Sequence, residues 1–434
     1  MADSLIQLLT PSYLYHGLGG ASFCPLSLLT FLPSSAGEFL DPSHPAAHVH
    51  EQAHYFQAMT TLTGLDRLSG WWRIISNVAD LLTRERLRLP NDPGPAELRD
   101  LYVAYMDVQN DLSEILHITP VLSGPQRIAA DDRSMAGFAV PRTDDALFFC
   151  YGAHTLQESM AMAMEVWREV DCGNYEWAAR SSNHAFRYAA ASETIAQTLG
   201  GRGRDLWWLT IMLCDLALDR IAPHLVFWQM LEHLRERGPG LPPFAAMPEL
   251  HTELLALTHI DEVEEDRSQL LGAADHWAER GHTSGDPFDQ AIGRLFERAG
   301  AGLRRRLADP TKLLHDYLTA PVASGLLDEF ALPLYVSGTR LISQTEDERL
   351  RDAVMFLHLA SHRAQVQLGV YNTLQCPFAT VPGACDFVRV DACSTAPWTR
   401  AEEAKQACAY RYVAHSLAHA MVHADDEERS PHGY

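Results

Sequence analysis

A short polar run inside an apolar stretch constrains this chain more than any other feature. His50, Glu51 and His54 form the pattern His-Glu-x-x-His. On an α-helix, side chains four residues apart leave the same face, so a helical conformation brings both imidazoles to one place. The surrounding residues are mostly apolar: Ala46, Ala47, Val49, Ala53, Tyr55, Phe56 and Ala58. The run therefore predicts a helix over about 46–64 that carries a polar cluster into the protein interior.

A buried cluster of this kind usually has a metal ion or a proton to share, because a buried charge without a partner is strongly unfavourable, and we favour a metal ion. Two histidines at this spacing bind one metal ion, and the glutamate after the first can take a proton from a water molecule that the ion activates. We interpret His50 and His54 as metal ligands and Glu51 as a general base. Since the chain contains 21 histidines, the alternative is an ordinary amphipathic helix with structurally satisfied side chains.

A catalytic metal site of this type requires a third protein ligand. Glu158 is the best candidate, because it lies in a strongly helical segment in which small residues such as Ala161 allow a second helix to approach closely. His154 precedes Glu158 by one turn and Glu165 follows it by two, on the same face. Glu193 is the second candidate for the ligand. Alternatively, Glu158 is a structural carboxylate held by hydrogen bonds.

Taken together, these residues resemble the gluzincin class of zinc metallopeptidases. The resemblance implies that His50, His54 and Glu158 bind zinc, that Glu51 is the general base, and that an amide or peptide-like bond is hydrolysed. It covers two short stretches of the chain only. The 104 residues from His54 to Glu158 are more than most members of that class have between these ligands.

Hydrolysis at such a site also benefits from a donor that stabilises an oxyanion. Three side chains lie close in sequence to the candidate third ligands Glu158 and Glu193: Tyr151, His154 and Tyr188. We predict that one of the three acts as this proton donor.

The same residues allow a different metal centre. Glu51 and His54 form a Glu-x-x-His pair, the unit that helical-bundle di-iron proteins repeat. Glu158 and Glu193 would supply the single-glutamate ligands for two Fe ions. The second pair is missing, because the other match, at 279–282, contains Gly281 and is followed by Gly285, and these glycines indicate a helix end. A di-iron oxidase or oxygenase is therefore the alternative function, and a non-catalytic helical protein with a structural metal is the second alternative.

Four cysteines near the C-terminus form a separate candidate metal site. They are Cys376, Cys385, Cys393 and Cys408, and the first three lie in a segment with few helix formers. Their spacing contains no Cys-x-x-Cys pair, which most structural zinc sites have. Structural zinc and buried free thiols both remain open for them.

Helical periodicity dominates the chain after residue 45 and predicts a mainly α fold, a single multi-helix body. We divide the chain into an irregular lead-in with one or two short strands (1–45), a helical metal-site region (46–237), a second helical region (244–371), and a Cys- and Pro-containing segment with a C-terminal helix (372–434). Residues 118–145 predict a long loop. The predicted helices after 46–64 are 65–87, 96–116, 146–170, 174–199, 205–237, 247–280, 285–307, 309–318, 322–336, 346–371 and 399–424.

The net charge of the chain limits the classes of partner that it can bind. The chain has 56 acidic and 34 basic residues and a formal net charge of −22, so it lacks the basic surplus that nucleic acid or an anionic membrane requires. We expect a small-molecule or peptide substrate.

The most apolar run, 206–218, contains Asp215 and is too short to span a bilayer, and the N-terminus has no signal-peptide pattern. We expect a cytoplasmic protein.

Overall fold

The structure is a computed structural model. It describes residues 22–24, 28–32, 45–85, 96–101, 115–118, 125–130, 133–141, 146–150, 152–171, 186–220, 222–258, 261–319, 325–330, 333–337, 340–343, 345–368, 375–378, 393, 408–410, 413 and 416. Within them the protein is mainly helical, and its helices form one body around a shared hydrophobic core, which confirms the predicted fold class.

The described secondary structure comprises twelve α-helices and eight short strands. The helices are α1 (Pro45–Thr60), α2 (Leu62–Glu85), α3 (Ala153–Asp171), α4 (Phe186–Leu199), α5 (Arg204–Leu218), α6 (Pro223–Arg237), α7 (Met247–Leu257), α8 (Asp261–Thr283), α9 (Pro287–Ala308), α10 (Pro310–Thr319), α11 (Leu326–Glu329) and α12 (Glu348–Gln367). The strands are β1 (Ser22–Cys24), β2 (Leu29–Leu32), β3 (Ile115–Ile118), β4 (Pro125–Ala130), β5 (Arg133–Pro141), β6 (Ala146–Cys150), β7 (Tyr335–Ser337) and β8 (Arg340–Ile342). No helix among the described residues has both the length and the apolar character needed to cross a membrane.

Helix α1 lies at the centre of the body and is buried on every side from Glu51 to Thr60. It begins at Pro45, where the missing N–H and fixed φ of proline suit a first helical turn. It packs against α2, α3 and α9. The chain turns sharply into α2, and a side chain at Gly64 would lie 2.5 Å from the carbonyl oxygen of Gln57, so only glycine fits this bend.

A buried ion pair fixes the C-terminal end of α1. Arg306 of α9 donates to the carbonyl oxygen of Thr60 at 2.8 Å and to both oxygens of Asp215 of α5, at 2.6 and 2.7 Å. Arg306 is 2% exposed and Asp215 is fully buried. The last carbonyls of a helix lack partners within the helix, so this guanidinium satisfies one of them while it joins three helices. Asp215 therefore has a structural role.

The predicted loop at 118–145 is wrong, because β4 and β5 lie within it. They belong to an antiparallel sheet of order β3-β6-β5-β4. Prolines that indicate a loop in the sequence lie at strand ends here, Pro125 at the start of β4 and Pro141 at the end of β5, where a missing N–H is tolerated.

The same sheet shortens two predicted helices. Leu116, predicted to end the helix over 96–116, lies in β3, and the helical residues described there are 96–101. Residues 146–150 form β6 instead of the start of the helix over 146–170. Phe148 and Phe149 favour a strand once neighbouring strands offer pairing, which the local pattern alone did not reveal.

A second sheet has the order β1-β2-β7-β8 and joins distant parts of the chain. Strands β2 and β7 pair in parallel, so residues 335–337 are not helical as predicted for 322–336. The short strands predicted in the lead-in are present as β1 and β2. The rest of residues 1–44 lies outside the described residues.

Two predicted helices are each divided in two. The segment 205–237 forms α5 and α6 because Pro223 cannot continue the hydrogen bonds of the preceding helix. The segment 247–280 forms α7 and the start of α8. The division follows Leu257, the last residue of α7. The guanidinium of Arg220 donates to the carbonyl oxygen of Thr258 at 3.1 Å, and this tertiary contact holds the end of α7.

Candidate metal centre

The packing of α1 against α3 brings three predicted ligands to one point. Nε2 of His50 lies 3.2 Å from Nε2 of His54. Oε2 of Glu158 lies 3.4 Å from the first nitrogen and 3.5 Å from the second. Each of the three residues is 8% exposed. In the part of the chain that the structure describes, no other three His, Cys, Asp or Glu residues hold their ligand atoms within 4.8 Å of one another.

These separations fit a tetrahedral zinc ion. Zinc binds imidazole nitrogen and carboxylate oxygen at about 2.0–2.1 Å, and two ligand atoms at tetrahedral angles around it are then roughly 3.3 Å apart. The three observed separations lie between 3.2 and 3.5 Å. The donor atoms are therefore already spaced as zinc ligands without any movement of the helices.

The outer nitrogens of both imidazoles are held by acceptors. Nδ1 of His50 lies 3.0 Å from Oε2 of Glu165, and Nδ1 of His54 lies 3.2 Å from Oε1 of Gln57. A nitrogen facing an acceptor carries the proton, so in the neutral imidazoles both Nε2 atoms have lone pairs. Two lone pairs and a carboxylate oxygen then face one another, an arrangement that a metal ion or a shared proton between them stabilises.

The pKa shifts of His50 and Glu158 also favour a positive charge at this point. Burial by itself lowers the pKa of His50, but hydrogen bonds to Glu158 and Glu165 raise it well above its usual value. Burial raises the pKa of Glu158, and the nearby His54 and His50 outweigh this and lower it well below its usual value. Both directions describe a centre that stabilises positive charge, which either a shared proton or a metal ion supplies.

Glu158 offers one oxygen to the centre and the other to a neighbour. Its Oε1 lies 3.7 Å from Nε2 of His154, which precedes it by one turn of α3. His154 is 8% exposed. Since Oε2 alone faces His50 and His54, the carboxylate is turned for binding through a single oxygen. His154, a candidate oxyanion donor in the sequence, therefore contacts the ligand carboxylate.

Glu51 lies beside the three ligands but is not one of them. It is 3% exposed, and its Oε2 has no hydrogen-bond partner. Burial raises its pKa to about 7, and the nearby His50 and His54 limit this rise. A buried carboxyl with an unpartnered oxygen next to two histidines is placed where a general base is needed.

Of the remaining candidates, the structure describes the side chain of Glu193 only, and Glu193 is not part of this group. Glu193 of α4 is exposed, and burial of part of its surface raises its pKa. The backbone of Tyr188 lies in α4, whereas its side chain and all of Tyr151 lie outside the described residues.

The structure describes three of the four C-terminal cysteines. Cys376, Cys393 and Cys408 do not form a group of three ligand atoms within 4.8 Å. Cys385 lies outside the described residues. The predicted structural zinc at these cysteines thus gains no support from the described part of the segment.

The sequence interpretation missed the residues that hold His54. Gln57 is one helical turn after His54, a spacing that predicts contact, but a glutamine carries no metal-ligand signal by itself. Gln157 and Arg67 lie behind Gln57, and only the packing of three helices brings them there.

The chain was also compared with known proteins. No protein-family model, curated protein or solved structure matches it.

Proposed function

We propose that this protein is a zinc-dependent hydrolase in which His50, His54 and Glu158 bind the ion and Glu51 is the general base. The observation that carries the proposal is the convergence of the three ligand atoms at separations of 3.2 to 3.5 Å. Each ligand also contacts a further side chain on its outer side, as metal ligands in proteins usually do.

His50, His54 and Glu158 would hold a zinc ion, which would supply a Lewis acid that activates water near neutral pH. Glu51, a buried carboxyl whose Oε2 has no partner among the described residues, takes the proton from the attacking water and passes it to the leaving group. The resemblance to gluzincins supports an amide or peptide-like bond as the one hydrolysed.

Two observations favour this function over the alternatives. A di-iron centre needs further carboxylate ligands, and Glu193 is exposed. A purely structural metal has no use for a buried carboxyl beside it, yet Oε2 of Glu51 has no hydrogen-bond partner. An unsatisfied buried group of this kind is destabilising and is typical of catalytic sites.

The first test is the metal content of the full chain, purified without added metal and without a histidine tag. We expect roughly one zinc ion per chain, since the described residues form one three-ligand group. Iron at roughly two ions per chain would favour the di-iron alternative. A chain without any metal would overturn the proposal.

The second test is the substitution Glu51→Gln, which is nearly isosteric and removes the base. Zinc content should stay unchanged, while hydrolysis of a quenched fluorescent peptide library should fall by about 10²–10⁴-fold, the usual contribution of a general base. Gln52→Glu places a carboxylate at the adjacent position and should not restore hydrolysis to the Glu51→Gln chain. Loss of zinc from Glu51→Gln would instead identify Glu51 as a ligand and contradict the assigned role.

A further inference from the structure

The imidazole of His54 is held by a chain of hydrogen bonds that extends away from the centre. Oε1 of Gln57 faces Nδ1 of His54 at 3.2 Å, and Nε2 of Gln57 donates to the main-chain carbonyl oxygen of Gln157 at 3.1 Å. Arg67 of α2 donates to the side-chain Oε1 of Gln157 at 2.7 Å. Gln57 is fully buried, and Gln157 and Arg67 are 6% and 7% exposed. Three helices thus contribute to one line of contacts.

The direction of each bond in this chain is determined. The main-chain carbonyl of Gln157 can only accept, so the amide nitrogen of Gln57 must face it. The carbonyl oxygen of Gln57 is then left for His54 and can only accept a proton from Nδ1. The amide orientation of Gln57 therefore fixes which nitrogen of His54 carries the proton and which one presents its lone pair to the proposed metal position.

We propose that Gln57 is a positioning residue of the metal centre, and that it must be an amide because it donates on one side and accepts on the other. The proposal rests on the metal binding proposed above. A general need for an acceptor behind a ligand histidine would be met even better by a carboxylate at position 57. The proposal goes further, because it states that a carboxylate there would not hold His54 in place.

The reason for that failure is the contact with α3. A carboxylate at position 57 has no N–H for the carbonyl oxygen of Gln157, and two oxygens would face each other at the distance of the present hydrogen bond, 3.1 Å. A buried oxygen pair of this kind is repulsive, and it leaves a charge without a partner. The carboxylate must turn away, and His54 loses its fixed orientation.

The Gln57→Glu variant therefore distinguishes the two accounts. If an acceptor behind His54 were all that mattered, zinc affinity would stay equal or rise, since a carboxylate partner makes an imidazole a better ligand. If the amide is required, affinity should fall by about 10–100-fold, the usual effect of losing such a partner. Gln57→Leu removes both contacts, and its zinc affinity should fall by a similar factor.

Gln52 provides a matched control on the same helix. It is 4% exposed, and its Nε2 donates to the main-chain carbonyl oxygen of Phe330 at 3.3 Å, away from the ligands. Gln52→Glu therefore makes the same chemical change, at similar burial, without touching His54. We expect its zinc affinity to stay within about threefold of the unmodified chain, well below the change expected at Gln57.

The measurement is the zinc dissociation constant of the full chain by competition with a chromophoric chelator, with the absorption spectrum of the Co²⁺-loaded chain as a second readout of ligand geometry. Weaker zinc binding and an altered Co²⁺ spectrum in Gln57→Glu, with Gln52→Glu unchanged, is the expected result. Unchanged or tighter zinc binding in Gln57→Glu overturns the proposal, and so does an equal loss in Gln52→Glu.

If Gln57→Leu fails to fold, the isosteric Gln57→Glu still decides. A failure of the unmodified chain to bind zinc would instead refute the proposed function itself.

Discussion

His50 and His54 are held by chemically different partners, a carboxylate behind the first and an amide behind the second. Glu165 lies two helical turns after Glu158, so one face of α3 supplies both a ligand and the group that orients another. Replacing Glu165 by glutamine keeps an acceptor for His50 and removes the negative charge. We expect zinc affinity to fall by about tenfold, because a neutral partner makes the imidazole a poorer ligand. The zinc dissociation constant measures this.

Glu169 is the control for this substitution. It lies one turn beyond Glu165 on α3 and is 3% exposed, so Glu169→Gln removes a similarly buried charge from the same helix. Its zinc affinity should change little. An equal loss in both variants would mean that the charge of the helix, and not the contact with His50, determines the affinity.

The contact between α7 and α10 makes the stability of the fold depend on pH through His251. Its side chain is fully buried, its Nδ1 contacts the hydroxyl of Thr311 at 2.8 Å, and its Nε2 has no hydrogen-bond partner. Burial lowers the pKa of His251 from 6.5 to about 4, and the nearby Asp215 only partly offsets this. Below pH 6.5 the unfolded chain therefore binds a proton that the folded chain refuses until about pH 4.

The free energy of unfolding should consequently fall as the pH is lowered from 6.5 toward 4, with a contribution from His251 of about 3 kcal/mol in total. It should be independent of this group above pH 6.5. Chemical denaturation at several pH values measures the slope, and His251→Asn should flatten it. The exposed His282, changed to Asn, should leave the slope as it is. A slope that is equal in both variants would show that other groups cause the pH dependence.

On the scale of the whole molecule, the proposed centre links α1 to α3, and α9 and α5 hold the far end of α1 through Arg306 and Asp215. An ion that binds only the folded chain stabilises it by mass action, by about 2.7 kcal/mol at a concentration 100-fold above the dissociation constant. For two-state unfolding of a chain of 434 residues this corresponds to a rise in the unfolding midpoint of about 3 °C.

Calorimetry of the chelator-treated chain, with and without zinc, tests this expectation. Glu158→Gln removes the charged ligand and should abolish most of the rise. A zinc-dependent shift of the same size in that variant would place the binding site elsewhere. Zinc can also bind unfolded chains through His and Cys, and a lowered midpoint in both proteins would indicate that binding.

Helical periodicity in the sequence predicted the fold class and the helix that carries the site, because hydrophobic spacing and i, i+4 geometry are local properties of the sequence. They failed where a distant partner decides the conformation. Residues 146–150 form a strand because β3 and β5 lie on either side of them. The pairing of β2 with β7 joins residues about 300 positions apart, which no local pattern indicates.

The sequence by itself determined that His50 and His54 share a helix face, that Glu51 lies beside them, and that His154, Glu158 and Glu165 lie along one face of another helix. Only the tertiary structure decided that the two faces meet, with Glu158 across from both histidines and Glu165 behind one of them. It alone brought Gln57, Gln157 and Arg67 into a chain, and it left Glu193 exposed. The physical reason is that helical spacing fixes which residues share a face, whereas the packing of side chains between helices fixes which faces touch.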